Sequence, residues 1–123
     1  MKSKPVESTD TFESFGLQEN IMKGIRHAGF ITPSPIQKEA IPVIMAGSDV
    51  IGQAHTGTGK TAAFSLPAMN RMEPKSYFDL LVITPTRELA IQVGDEIFKL
   101  GQFAGIKTGT VYGGQSYDRQ FRM

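Results

Sequence analysis

The stretch "AHTGTGKT", Ala54 to Thr61, decides how the rest of the chain reads. A phosphate-binding loop runs glycine, four residues, Gly-Lys, then Ser or Thr, and here Ala54 holds the first position. A polyphosphate needs several backbone N–H groups aimed inward, and a helix that follows adds its positive dipole end. Gly57 and Gly59 allow backbone angles and a close approach that side chains would forbid. Lys60 can reach outer phosphates as a point charge, and the Thr61 hydroxyl can join a Mg²⁺ shell. Alanine at 54 suits the turn provided its φ stays negative. His55, Thr56 and Thr58 fill the spacer positions. The bland alternative is a glycine-rich turn with a chance Gly-Lys-Thr.

The flanks decide between these readings. "DVIGQA", Asp49 to Ala54, reads as a short strand, and a helix is expected from about Gly59 to Met72 with a kink at Pro67. "LLVIT", Leu80 to Thr84, is an apolar run of the kind found in a strand buried on both faces. Leu89, Val93, Ile97 and Leu100 mark an amphipathic helix ending near Gly101 or Gly105, and "TGTVYGG" reads as a third strand weakened by Gly109. Upstream, Leu17, Ile21, Ile25 and Ala28 recur at helical spacing before Gly29. A further helix starts near Ser34, with Pro35 in its first turn and Ile36, Ala40 and Ile44 on one face. Residues 1–11 read as a mobile tail.

Strands alternating with helices imply right-handed crossovers and a parallel sheet, hence an α/β fold with two helices in front. Ligands then gather at the carboxyl ends of the strands. "AHTGTGKT", "PTRELA" and "YGG" all fall there.

Composition sets the outer limits. The 123 residues allow one domain at most, and the chain is 40% hydrophobic and 20% charged. No apolar run approaches the roughly 20 residues of a membrane span, so no membrane partner is expected. The absence of cysteine excludes disulfides and thiolate metal sites, and suits a cytoplasmic protein. A net charge of +1 means that any nucleic-acid binding must come from local arrangement.

Two further stretches have double readings. "GFITPSPIQ", Gly29 to Gln37, is either a proline-rich helix start or an adenine reader. In the second case Gln37 pairs with the base edge while an aromatic such as Phe12 stacks on it. In "PTRELA", Pro85 to Ala90, free amides and Arg87 could hold a phosphate backbone. Equally, Arg87 and Glu88 could form a surface pair with Thr86 as the cap. Gly113 and Gly114 permit close approach to a ligand or simply make a turn.

Together these residues resemble the amino-terminal part of a DEAD-box ATP-dependent RNA helicase, from Phe12 to Gly114. "GFITPSPIQ" is similar to the family's Q motif, with Phe12 where the family places its isolated aromatic. "AHTGTGKT" is similar to motif I, in which alanine is the usual first residue, "PTRELA" to motif Ia, and Gly113-Gly114 to the GG motif. The resemblance implies an incomplete RecA-like P-loop domain, with residues 12–38 as the Q-motif region and 39–123 as the start of the ATP-binding domain. It implies that Phe12 and Gln37 recognise adenine and that Ala54, His55, Thr56, Gly57, Thr58, Gly59, Lys60 and Thr61 bind ATP and Mg²⁺. Lys60 and Thr61 would carry the catalytic share. Pro85, Thr86, Arg87, Gly113 and Gly114 would lie on the backbone of single-stranded RNA.

The sequence departs from the family by reaching Met123 before any Asp-Glu-Ala-Asp, Ser-Ala-Thr motif or second RecA-like domain. The expectation is therefore a fragment or truncated product that binds ATP and part of the RNA site. A non-catalytic binding module is the alternative, and a generic P-loop phosphotransferase explains only one of the motifs.

Overall fold

The computed structural model describes residues 11–55, 57, 59–72 and 80–111. A 3₁₀ turn, Phe12–Phe15, ends at Gly16 in the left-handed region and leads into α1 (Glu19–His27). Ser34 then opens α2 (Pro35–Met45) with a reciprocal cap: its backbone N–H donates to Gln37 Oε1 at 2.8 Å, and its hydroxyl accepts from Gln37 N at 3.4 Å. Proline in the first turn has no amide to leave unsatisfied, so the start is reinforced twice. Next come α3 (Lys60–Asn70) and α4 (Arg87–Gly101), the latter closed by a 3₁₀ turn, Gln102–Ala104. Pro67 lies inside α3 and the helix continues through it; Pro42 lies inside α2 likewise.

The core joins these pieces. Phe12, Leu17, Ile21, Met22 and Ile25 from the first segment meet Ile41 of α2, Ala62, Leu66 and Met69 of α3, and Val93, Ile97 and Leu100 of α4. α1 crosses α4 so closely that a Cβ at Gly24 would overlap the Leu100 carbonyl, and only glycine permits that approach. Two expected faces are corrected. α2 buries Gln37, Ala40 and Ile41, with Ile36 and Ile44 only partly covered, because Gln37 turns inward. α4 buries Val93, Ile97 and Leu100 but leaves Leu89 exposed at its first turn.

Among the described residues no β-strand occurs. The segments read as strands, 49–54, 80–84 and the described part of 108–114, are irregular. Their side chains still carry information. Leu80 and Val82 pack against the core, whereas Leu81 and Ile83 are 84% and 85% exposed. That is the period of two of a half-covered strand, not the two-sided burial expected of the apolar run. The helices cover one side, and the described residues supply nothing for the other. Residues 1–10, 112–114 and the rest of the carboxyl end lie outside the described residues.

Candidate functional site

The phosphate-loop residues sit between an irregular segment and the start of α3. Gly57 and Gly59 both have φ of +85°, the left-handed region that side chains avoid. Gly59 is the cap residue of α3 and offers no side chain to the first turn, so Lys60 begins a helix whose leading amides are left to an outside acceptor. Lys60 and His55 are exposed, while Ala54 and Thr61 are partly covered. Thr56 and Thr58 lie outside the described residues. Ala54 therefore does not prevent the loop from presenting two left-handed glycines before a helix.

Gln37 is brought directly to this loop. The residue is 4% exposed, and its Nε2 donates to the Gly59 carbonyl at 3.2 Å. The contact joins "GFITPSPIQ" to "AHTGTGKT" across a sequence separation of 22. A Cβ at Gly59 would overlap Gln37 Nε2, so glycine is required there for packing as well as for φ. Ser34 is a functional neighbour that the site reading missed. It holds the Gln37 amide oxygen, and the signal was present as a serine followed three residues later by glutamine.

Phe12 is placed differently from an exposed stacking ring. It is 1% exposed, with ring centroids 5.9 Å from Phe15 and 6.0 Å from Phe30. A base could stack on its face only after the ring swings out of this aromatic cluster. The physical reason is the local concentration of phenylalanine: three rings bury one another more favourably than one remains in water.

Pro85, Thr86 and Arg87 lie together and exposed at the start of α4. Thr86 Oγ1 accepts from the Leu89 amide at 3.1 Å, and the Thr84 hydroxyl donates to the Thr86 carbonyl at 3.1 Å. Of the two readings of "PTRELA", the threonine cap is thus realised. Gly113 and Gly114 lie outside the described residues. Among the described residues no group of three or more His, Asp or Glu converges as a metal shell, and no helix is long and apolar enough to cross a membrane.

Comparison with known proteins gives a consistent result. Residues 34–123 match the DEAD/DEAH box helicase family. The DEAD-box ATP-dependent RNA helicase RhpA of Helicobacter pylori is 56% identical over 110 residues, covering 89% of this chain and 22% of that protein. The DEAD-box ATP-dependent RNA helicase CshA of Bacillus subtilis is 49% identical over 115 residues, covering 93% of this chain and 23% of that one. The chain thus spans under a quarter of the length of these curated relatives. Among solved structures, a DEAD box protein from Methanococcus jannaschii superposes with a TM-score of 0.81 at 37% identity, covering 91% of this chain and 31% of that chain. The RNA helicase Prp28 from Chaetomium thermophilum, bound to ADP, gives 0.79 at 32% identity, covering 98% and 30%. On the family match and these identities, the chain belongs to the DEAD/DEAH box helicase family.

Proposed function

We propose that this chain forms the nucleotide-binding start, and part of the RNA-binding surface, of an ATP-dependent RNA helicase. Hydrolysis of ATP and separation of RNA duplexes would be activities of the whole protein, and the relatives are about four times the length of this chain. The observation that carries this reading is the Gln37–Gly59 hydrogen bond, which unites the two motifs in one place. Lys60 and the leading amides of α3 would hold the phosphates, Thr61 would contribute its hydroxyl to Mg²⁺, and Gln37 would read the adenine edge. ATP supplies the phosphoryl bond whose cleavage resets the enzyme.

The fit to ATP and Mg²⁺ rests on two left-handed glycines ahead of a helix whose start no side chain caps. In the same reading, the segments at 49–54, 80–84 and 108–111 are the strands of a parallel RecA-like sheet. The one-sided packing of Leu80 and Val82 supports that assignment. Pro85, Thr86 and Arg87, with Gly113 and Gly114, would meet RNA phosphates and carry little sequence preference.

Calorimetric titration with Mg·ATP tests the nucleotide half. Wild-type protein should bind, and Lys60→Ala should weaken binding by about 10-fold or more, as expected for a lost charge-assisted contact. Equal affinity in the two proteins would remove Lys60 from the phosphate site.

A further inference from the structure

The end of α1 and the connection to α2 face the flank of α4 across a cleft of about 740 Å³. Clefts that hold a ligand usually measure roughly 300–1,000 Å³. This one shares no residue with the phosphate loop, with Gln37 or with "PTRELA". Its floor is apolar: Leu100 is fully buried and Phe30 packs on the core. The two walls are locked together, because α1 meets α4 at Gly24, where a Cβ would overlap the Leu100 carbonyl. On the α1 side, His27 is braced edge-on by Phe103, with ring centroids 5.5 Å apart. The cleft is thus formed before anything enters it, which spares an occupant the cost of shaping it.

The charge on the α4 wall is unbalanced. Asp95 and Glu96 stand there with one cation, Lys99, although the whole chain carries +1. Among the described residues neither carboxylate forms an ion pair. Burial pushes the Glu96 carboxyl above its ordinary range, and Lys99 draws it only partly back. Gln92, one turn before Glu96, has a side-chain amide with no hydrogen-bond partner among the described residues.

These features select the occupant. A hydrocarbon floor takes apolar side chains, an unpaired carboxylate on a partly buried wall takes a cation, and an idle amide takes a main-chain group. A peptide offers all three at once. Arginine suits the wall better than lysine: its guanidinium is more weakly hydrated, donates through a planar fork and stacks on aromatic rings such as Phe30 or His27. We propose that the α1–α4 cleft is a docking site for another protein, which inserts an arginine flanked by apolar residues. The guanidinium meets Glu96 and Asp95, and its apolar neighbours cover Phe30 and Leu100. The same negative wall repels RNA phosphates, so the cleft and the exposed start of α4 sort their partners by charge.

The probe is the capped peptide acetyl-Ser-Leu-Arg-Leu-Ser-amide, titrated to millimolar concentration while the backbone amide resonances of this chain are followed by NMR. Resonances of Phe30, Gln92, Glu96 and Leu100 should move together and saturate. Citrulline in place of the arginine keeps the shape and removes the charge, and should bind about 10-fold more weakly. Replacing both leucines by serine should weaken binding by a similar factor, about 10-fold. Glu96→Gln should lower affinity for the arginine peptide about 10-fold and leave the citrulline peptide unaffected, a pattern that general damage to the fold does not produce. Stationary resonances at these four residues, equal affinity for the arginine and citrulline peptides, or no loss on removing the leucines would each overturn the proposal. Shifts that follow protein concentration without peptide would assign the cleft to a second copy of this chain, and the same shifts with oligouridylate would assign it to RNA. Either result would overturn docking of another protein.

Discussion

The start of α4 satisfies itself: Thr86 Oγ1 takes the Leu89 amide, and Glu88 sets a negative charge in the first turn beside the positive helix end. The start of α3 does neither. Its cap is a left-handed glycine, its first turn has no acidic residue, and its first side chain is a lysine. Both sites looked available for phosphate in the sequence, "PTRELA" through its helix start and "AHTGTGKT" through its loop. A side-chain cap and an anion compete for the same amides. The capped start is therefore stable by itself, whereas the open one is a standing deficit that a bound phosphate can remove. The difference separates a helix end that a backbone can brush against from one that needs an occupant.

The sharpest way to break this contrast is Gly59→Ala. At φ of +85° an alanine is strained, and its Cβ would push into Gln37. We expect a stability loss of about 1–3 kcal/mol by denaturant titration, and ATP binding lost by more than about 10-fold, a further ~1.4 kcal/mol. Gly57→Ala, with the same φ but open space around it, should lose stability through the strain without the clash at Gln37. Wild-type ATP affinity in Gly59→Ala would show that the open helix start is not the phosphate seat.

Thr86→Ala addresses the other side of the contrast. Loss of its cap should cost about 1 kcal/mol of stability and leave ATP affinity where it was. An ATP-affinity loss matching the stability loss would mean that the two helix starts act as one site.

The smallest effect concerns the flank of α4. Burial pushes the Glu96 carboxyl above its ordinary range, with Lys99 drawing it partly back. The folded protein thus holds that proton more tightly than the unfolded chain does. This group's stabilising contribution is complete below the ordinary glutamate value and fades as pH rises through the folded one. Glu96→Gln should flatten that decline and stabilise the protein at neutral pH by no more than about 0.5 kcal/mol. Urea midpoints of both proteins at about pH 4 and pH 7 measure it; a steeper decline in the variant would reverse the assigned cause.

How much of this was legible follows from what each residue advertises. Helix starts announce themselves locally, and Ser34 with Gln37, Pro35, Thr86 and the Gly57/Gly59 pair all give the backbone its instructions within one turn. Burial of Gln37 does not, because an apolar pattern has no mark for a polar side chain whose partners, Ser34 N–H and Gly59 carbonyl, are supplied by the fold. Phe12 read as a free ring because one of the two rings against it, Phe30, comes from beyond α1, although the other, Phe15, stands three residues away. The apolar run 80–84 spoke for two buried faces, and the described helices cover only the side of Leu80 and Val82. Strand pairing is a property of neighbours, and no single segment encodes it.

α3 is fastened at both ends by glutamines from upstream. Gln37 grips Gly59 at its start; at its finish Gln18 donates its backbone N–H to Asn70 Oδ1 at 2.7 Å and its Nε2 to the Asn70 carbonyl at 2.9 Å. In mechanical terms the helix is a rod about 16 Å long, at 1.5 Å per residue, tied to two anchors outside itself. Such a rod cannot slide along its axis without slackening one tether and straining the other. Any axial tug at the phosphate end would therefore be felt at the head of α1, on the far end of the rod.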